Sequence, residues 1–378
     1  MKYGLLINAL VSLVLGFNCT LACADIDSKM GPIPEKGTLD IHASLLYLQP
    51  TNNDLKYAVF VFNTQPYDQD WAYQVLNSPY VPAFEIGGDY AFANSAYHVS
   101  LDWMHLSSTN SASKQANPAV TLSTVQFVAP PYDVGPAVFG IKHVDSSVSF
   151  KFDNVGLHAA RAFEFDNGTL QTKLFTGINL LNIKQTVTTR FSDYPGALPT
   201  SVTYGTLPDP SYSFQTANKS EYLGAGPDFG IDVLYRMNYG FSMVTQAQGL
   251  LTVGRIRSSD QFTSTSARLM EVGIPLSQQL LSSPDMTQVV PGFDAKLGLA
   301  YQFTSINLPN LAIEAGYCVA VYMNAISNLN PSNLVQVGTN NGTPEFATGT
   351  MAIQSTDSRQ STLSFNGPYV DLKLQMMS

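Results

Sequence analysis

The chain has 378 residues, of which 12% are charged and 11% aromatic, and its 19 Lys and Arg stand against 28 Asp and Glu for a net charge of −9 at pH 7. That acidic balance argues against nucleic acid as a partner. A charged fraction about half that of an ordinary soluble domain argues against a freely soluble enzyme.

The N-terminus, MKYGLLINALVSLVLGFNCTLACA, has Lys2 as its positive end, an apolar run from Leu5 to Leu15, and the small-residue cleavage site Ala22-Cys23-Ala24. The run falls short of the roughly 20 residues a membrane-spanning helix needs, so the segment is predicted to be a signal peptide cleaved near Ala24. Residues 25–378 then form a single domain. Lys2 is the one charge in the leader, so the mature chain keeps 18 cations (19 less one) against 28 acids, a net of −10. Cys19 and Cys23 leave with the leader, and Cys318 alone cannot form an intrachain disulfide.

Past the leader no apolar run approaches the length of a membrane helix. Low charge, many aromatics and no spanning helix predict an all-β chain, a transmembrane antiparallel β-barrel whose outer face is solvated by lipid. The alternation of the following segments supports this. Leu39, Ile41, Ala43, Leu45 and Tyr47 alternate with Asp40, His42 and Ser44, and Phe84, Ile86 and Tyr90 alternate with Glu85, Gly87 and Asp89. After the short turn Ala93–Ser95, Tyr97, Val99, Leu101 and Trp103 alternate with His98, Ser100 and Asp102.

The stretch GAGPDFGID (224–232) resembles a phosphate loop, but its glycines are spaced G-x-G-x-x-x-G and the flanking residues alternate with period two. That marks a strand rather than a loop opening a helix. A hairpin through Asn238-Tyr239-Gly240 follows, with Phe241, Met243, Leu251 and Val253 on its apolar face. Pro227 predicts a bulge near a barrel rim. Gly224, Gly226 and Gly230 share the interior face and would leave room for water or a packed loop. Further alternating runs occupy 293–303, 311–321 and 370–376.

Short connections at Ala93–Ser95, Asp166–Gly168, Asn238–Gly240 and Thr304–Asn310 alternate with long polar ones near 49–81, 107–146, 191–220, 257–290 and 325–361. Short periplasmic turns opposite long external loops are the pattern of an outer-membrane barrel. The count is at least ten strands, and the apolar runs Tyr57–Phe62 and Thr124–Val128 offer further pairs.

The resemblance enters through "GPDFGIDVLYRMNYGFSMVTQAQGLLTVG" (226–254), "DAKLGLAYQF" (294–303), "LAIEAGYCVAVYMNAI" (311–326) and "FNGPYVDLKL" (365–374), with "KGTLDIHASLLYLQPTNNDLKYA" (36–58) and "FKFDNVGLHAARAFEF" (150–165) in the N-terminal half. In order and spacing these resemble the Legionella-type major outer membrane protein family. The resemblance implies a bacterial outer-membrane barrel with porin-like and surface-structural roles. The family is associated with disulfide cross-linking, for which this chain offers Cys318 alone.

The five histidines show no convergent ligand spacing of the kind zinc needs, and no metal or cofactor is expected. Ser111-Ala112-Ser113-Lys114 fits S-x-x-K but lacks the companion S-D-N and K-T-G motifs. Asn117-Pro118-Ala119 is read as coincidental, and no enzyme is expected. The polar faces predict a lumen lined by Asp40, Glu85, Asp102, Asp228, Asp232, Asp294 and Glu314, with Lys151, Arg236, Lys296, Lys373 and Cys318 among them. Acids in excess would weakly favour cations. The leading expectation is passive diffusion of small solutes. The alternative is a non-conducting structural or adhesive protein acting through its external loops. Expected partners are outer-membrane lipid and lipopolysaccharide, small solutes if the lumen conducts, and surface or host ligands at the loops.

Overall fold

A computed structural model of the chain describes residues 29–30, 35–65, 68–116, 126–131, 141–193, 211, 213–265, 267, 278–303, 310–340 and 347–377. The predicted leader, the Asn117-Pro118-Ala119 motif and the turn at 304–309 lie outside the described residues.

Ten long strands dominate the chain: β1 (Thr38–Asn52), β2 (Val81–Ala91), β3 (Tyr97–Gln115), β4 (His143–Phe165), β5 (Leu170–Ser192), β6 (Ser213–Arg236), β7 (Phe241–Thr265), β8 (Met286–Phe303), β9 (Asn310–Asn340) and β10 (Ala347–Met377). Each pairs antiparallel with its neighbours in sequence, and β10 returns to β1, from Met377 opposite Thr38 to Leu363 opposite Asn52. The ring is therefore a closed up-and-down barrel. Closure leaves the ring without a free edge, which backbone in lipid requires. Of the twelve strands in this sheet the other two are short additions: Lys29–Met30 on β4 and Gln278–Ser282 on β7.

The turns behave as their residues dictate. Asn94, Asp166 and Tyr239 take positive φ (53°, 52° and 64°), and Gly168 and Gly240 follow at 90° and 80°. These left-handed positions let two strands reverse within a few residues. The ends of the ring strands, Thr38 and Met377, lie at this same rim.

Pro227 forms no bulge and is not at the rim. Its pairing with β5 continues unbroken, opposite Ile178, and the register with β7 is the same on both sides of Gly226 and Pro227. Proline simply lacks the N–H for that rung. Gly226 is needed there because a Cβ would lie 2.0 Å from the Leu251 carbonyl oxygen. The room expected over Gly224 and Gly230 is occupied by the Tyr222 hydroxyl and the Phe175 ring.

Among the described residues, the long polar connections are mostly strand. A membrane strand needs about 9–11 residues, whereas β4 to β7 run 23 to 25 residues and β9 and β10 run 31 each. The excess rises from the rim opposite the short turns. The apolar run 57–62 and the described part of 124–128 add nothing to the ring. Lys56–Gln65 instead pairs with Asp68–Val75 and Gln126–Ala129 in a separate three-stranded sheet. This sheet packs on the mouth, where Tyr57, Phe60, Leu76 and Val128 join the buried cluster containing Val144, Val148 and Phe150.

Candidate functional site: the barrel interior

Each wall strand changes its solvent partway up. On β6, Tyr235, Phe229 and Leu223 point outward and are exposed, while Asp232 and Asp228 point inward. Beyond Leu223 the parity of apolar and polar residues inverts: Glu221 and Lys219 are outward, and Tyr222 and Phe214 are buried inside. The same switch falls after Trp103 on β3, above Val155 on β4, after Leu180 on β5 and after Val253 on β7. These positions are joined in register, Trp103 opposite Val155, Val155 opposite Leu180 and Leu180 opposite Ala225. The switch is thus one continuous line around this part of the wall. Below it the outside meets hydrocarbon; above it the outside meets water and the inside is a packed core.

Lys151 lies above that line, which corrects its predicted place in the lumen. It is exposed on the outer face opposite Ser107 and Lys184, and its neighbours Phe150 and Phe152 are 1% and 0% exposed inside. A rule of polar residues inward holds only at hydrocarbon depth.

The other predicted residues face the interior. Asp40, Glu85, Asp102, Asp232, Arg236, Asp294, Lys296, Glu314, Cys318 and Lys373 line one cavity of about 740 Å³ that reaches the short-turn rim at Thr38 and Gln302. Asp228 lies behind that wall, buried against His158. In a ten-stranded ring the interior is narrow enough for long side chains to cross it. Lys296 on β8 reaches Glu85 on β2 at 2.5 Å, and Lys173 on β5 reaches Asp89 at 2.7 Å and Asp232 at 3.3 Å. Lys373 holds Glu314 at 2.6 Å, and Glu314 also accepts from Tyr369 at 2.5 Å. Charges taken out of bulk water demand such partners. Cys318 is buried and donates to the Gly367 carbonyl at 3.4 Å.

Residues from separate segments converge on His158, which the sequence did not foretell. Its Nε2 lies 2.8 Å from Asp228, its Nδ1 lies 3.3 Å from Asp102, and Ser100 approaches Nδ1 at 3.4 Å. Asn179 and Gln248 also donate to Asp228. Ser, His and Asp thus meet, but both ring nitrogens face carboxylates as donors, which leaves Ser100 no lone pair to take its proton. His42 extends the chain to Asp102 at 3.4 Å and Glu85 at 3.8 Å. Among the described residues no group of three His, Cys, Asp or Glu is arranged to hold a metal ion. Ser111 and Lys114 are exposed on β3, and the Lys114 ammonium sits over the Phe60 ring.

Above the polar cavity an apolar belt fills the barrel. Leu46, Leu48, Leu106, Phe152, Leu181, Tyr322 and Phe365 are all at most 2% exposed. The Phe152 ring centroid lies 5.1 Å from Tyr322 and 4.8 Å from Phe365. Over this belt β9 bends inward. Its register with β10 breaks between Tyr322 and Ile326, with Asn324 at a φ of 57°, a conformation asparagine tolerates. The next residues, Ala325 to Leu329, are buried. They cross onto β6 and β7, where the Ser327 amide donates to Ser220 at 2.9 Å and Asn218 donates to the Leu329 carbonyl at 2.5 Å.

The family described as Legionella pneumophila major outer membrane protein precursor matches residues 32–376. No curated protein matches the sequence. Among solved structures, the outer membrane protease OmpT of Escherichia coli is 9% identical over 90% of this chain and 97% of its own, with a TM-score of 0.41. A Pseudomonas aeruginosa FadL homologue is 10% identical over 90% of each chain at a TM-score of 0.28. The translocator domain of the Neisseria meningitidis autotransporter NalP is 10% identical over 97% and 96% at 0.27.

Proposed function

Because the chain belongs to the Legionella major outer membrane protein family, a family of outer-membrane barrels, we propose that it acts as a surface-structural barrel with a closed lumen and no catalytic role. One observation carries this reading: the apolar belt around Phe152, Tyr322 and Phe365, roofed by the inward bend of β9. Water and ions crossing that layer would shed their hydrogen bonds at a cost of several kcal/mol per unsatisfied group. The outer aromatic and aliphatic face serves lipid, including lipopolysaccharide, and the sheets above the switch line present the surface to external ligands.

Passive diffusion of small solutes is the second reading. The charged lower cavity favours it, since such a lining suits hydrated ions, but conduction requires the belt to move. Planar-bilayer recording with the refolded full chain separates the two. The closed barrel predicts no sustained conductance steps for the wild type and a leak in Phe152→Ala or Phe365→Ala. Persistent cation-preferring steps in the wild type would establish the diffusion reading and overturn the first.

A further inference from the structure

A second cavity, of about 250 Å³, lies above the belt and is lined by Asp54, Lys56, Asn218, Asp260, Phe191 and Arg359 among others. Asp260 sits on β7 beyond the outward Arg255 and Arg257, and so above the switch line. It is 0% exposed, yet neither carboxyl oxygen has a hydrogen-bond partner. Asn218, its cross-strand partner on β6, spends its amide N–H on Leu329 and leaves its own oxygen without one. Three acceptor oxygens therefore meet at the inner end of the cavity with no side-chain donor facing them. Burying a carboxylate in that way costs free energy that a hydrophobic residue would avoid. The cations of the cavity, Lys56 and Arg359, are exposed at its outer end, and Lys56 rests over the Tyr73 ring.

We propose that this cavity binds a small organic cation, a primary ammonium or guanidinium, with Asp260 as its counter-ion. An N–H-rich cation is the chemistry that satisfies converging acceptors without supplying more of them. Val187 and Phe191 offer an apolar wall to the methylene groups of such a ligand. Anions are excluded by the same lone pairs. Entry is from the mouth side, so occupancy is independent of whether the lower lumen conducts.

The test is isothermal titration of the detergent-folded full chain at pH 8 with propylammonium and agmatine, against propionate and 1-propanol as matched probes. Both cations bind saturably, and the anion and the alcohol do not. Asp260→Asn weakens cation binding about tenfold or more, as expected for a lost charge-assisted contact. Asp357→Asn, at the exposed side of the same cavity, leaves binding within about threefold. Each variant's fold is checked by its β-rich circular dichroism and its gel mobility before heating. Absence of cation binding up to about 10 mM, or equal binding by Asp260→Asn, overturns the proposal and leaves Asp260 a buried acid only.

Discussion

Ile231 and Asp232 are neighbours on β6 with different solvents: the isoleucine turns to lipid and the aspartate to Lys173 at 3.3 Å. Ile231→Arg is predicted to cost about 2–4 kcal/mol near the midplane. Asp232→Asn should refold almost as the wild type, because Lys173 keeps Asp89 at 2.7 Å. Refolding yield in lipid vesicles compares them, and equal tolerance would mean that lipid is not on the Ile231 face. Asp260 makes a prediction of another kind. Burial pushes its carboxyl from 3.8 up to about 7, and the nearby backbone amides of Ala217 and Gln261, which make no full hydrogen bond to it, offset this only in part. A raised carboxyl pKa means that the folded chain holds the proton more tightly. Stability is then greatest below about pH 4, falls as pH rises to about 7, and is flat beyond. At about 1.4 kcal/mol for each tenfold change in proton affinity, the loss is on the order of 4 kcal/mol. The other charged groups lining the same cavity are Asp54, Lys56, Asp357 and Arg359. Urea midpoints at pH 5 and pH 8 should differ for the wild type and converge in Asp260→Asn.

At the scale of the element, alternation was legible wherever one parity served a whole strand. The outward set Ile41, Leu45 and Tyr47 and the inward set Asp40, His42 and Ser44 run through nearly all of the membrane part of β1, and β2 and β8 behave alike. It failed where parity inverts within a strand. On β4 the hydrocarbon rule assigned Lys151 inward, while the Phe150 and Phe152 beside it needed the packed interior of the upper barrel. The same inversion makes the upper strands look like polar loops, since Ser147, Ser149 and Lys151 lie on their outer face. The inward bend of β9 has a weaker sequence signal, a single asparagine at the left-handed position. The convergence on His158 depends on register between strands 58 and 70 residues apart and has no local signature. Phe152→Ala should cost about 3–5 kcal/mol, as for a buried aromatic in a filled core. Lys151→Ala should stay within about 0.5 kcal/mol. Equilibrium unfolding compares them, and the reverse ranking would put Lys151 inside.

For the whole molecule, ten strands set the outcome. A ring of this size is spanned by single lysine side chains in its lower half and filled by aromatic rings above. Its shape follows from two solvents meeting one continuous wall: lipid outside a charged interior, then water outside an apolar one. The most direct test is a spin-label scan along the outward positions of β6, from Tyr235 to Gln215, in vesicles, with oxygen and a water-soluble nickel chelate as paired collision probes. Oxygen should dominate from 233 to 223 and the nickel chelate from 221 to 215, with one crossover between Leu223 and Glu221. Oxygen dominance continuing to 215, or nickel access at Phe229, would contradict the two-solvent wall.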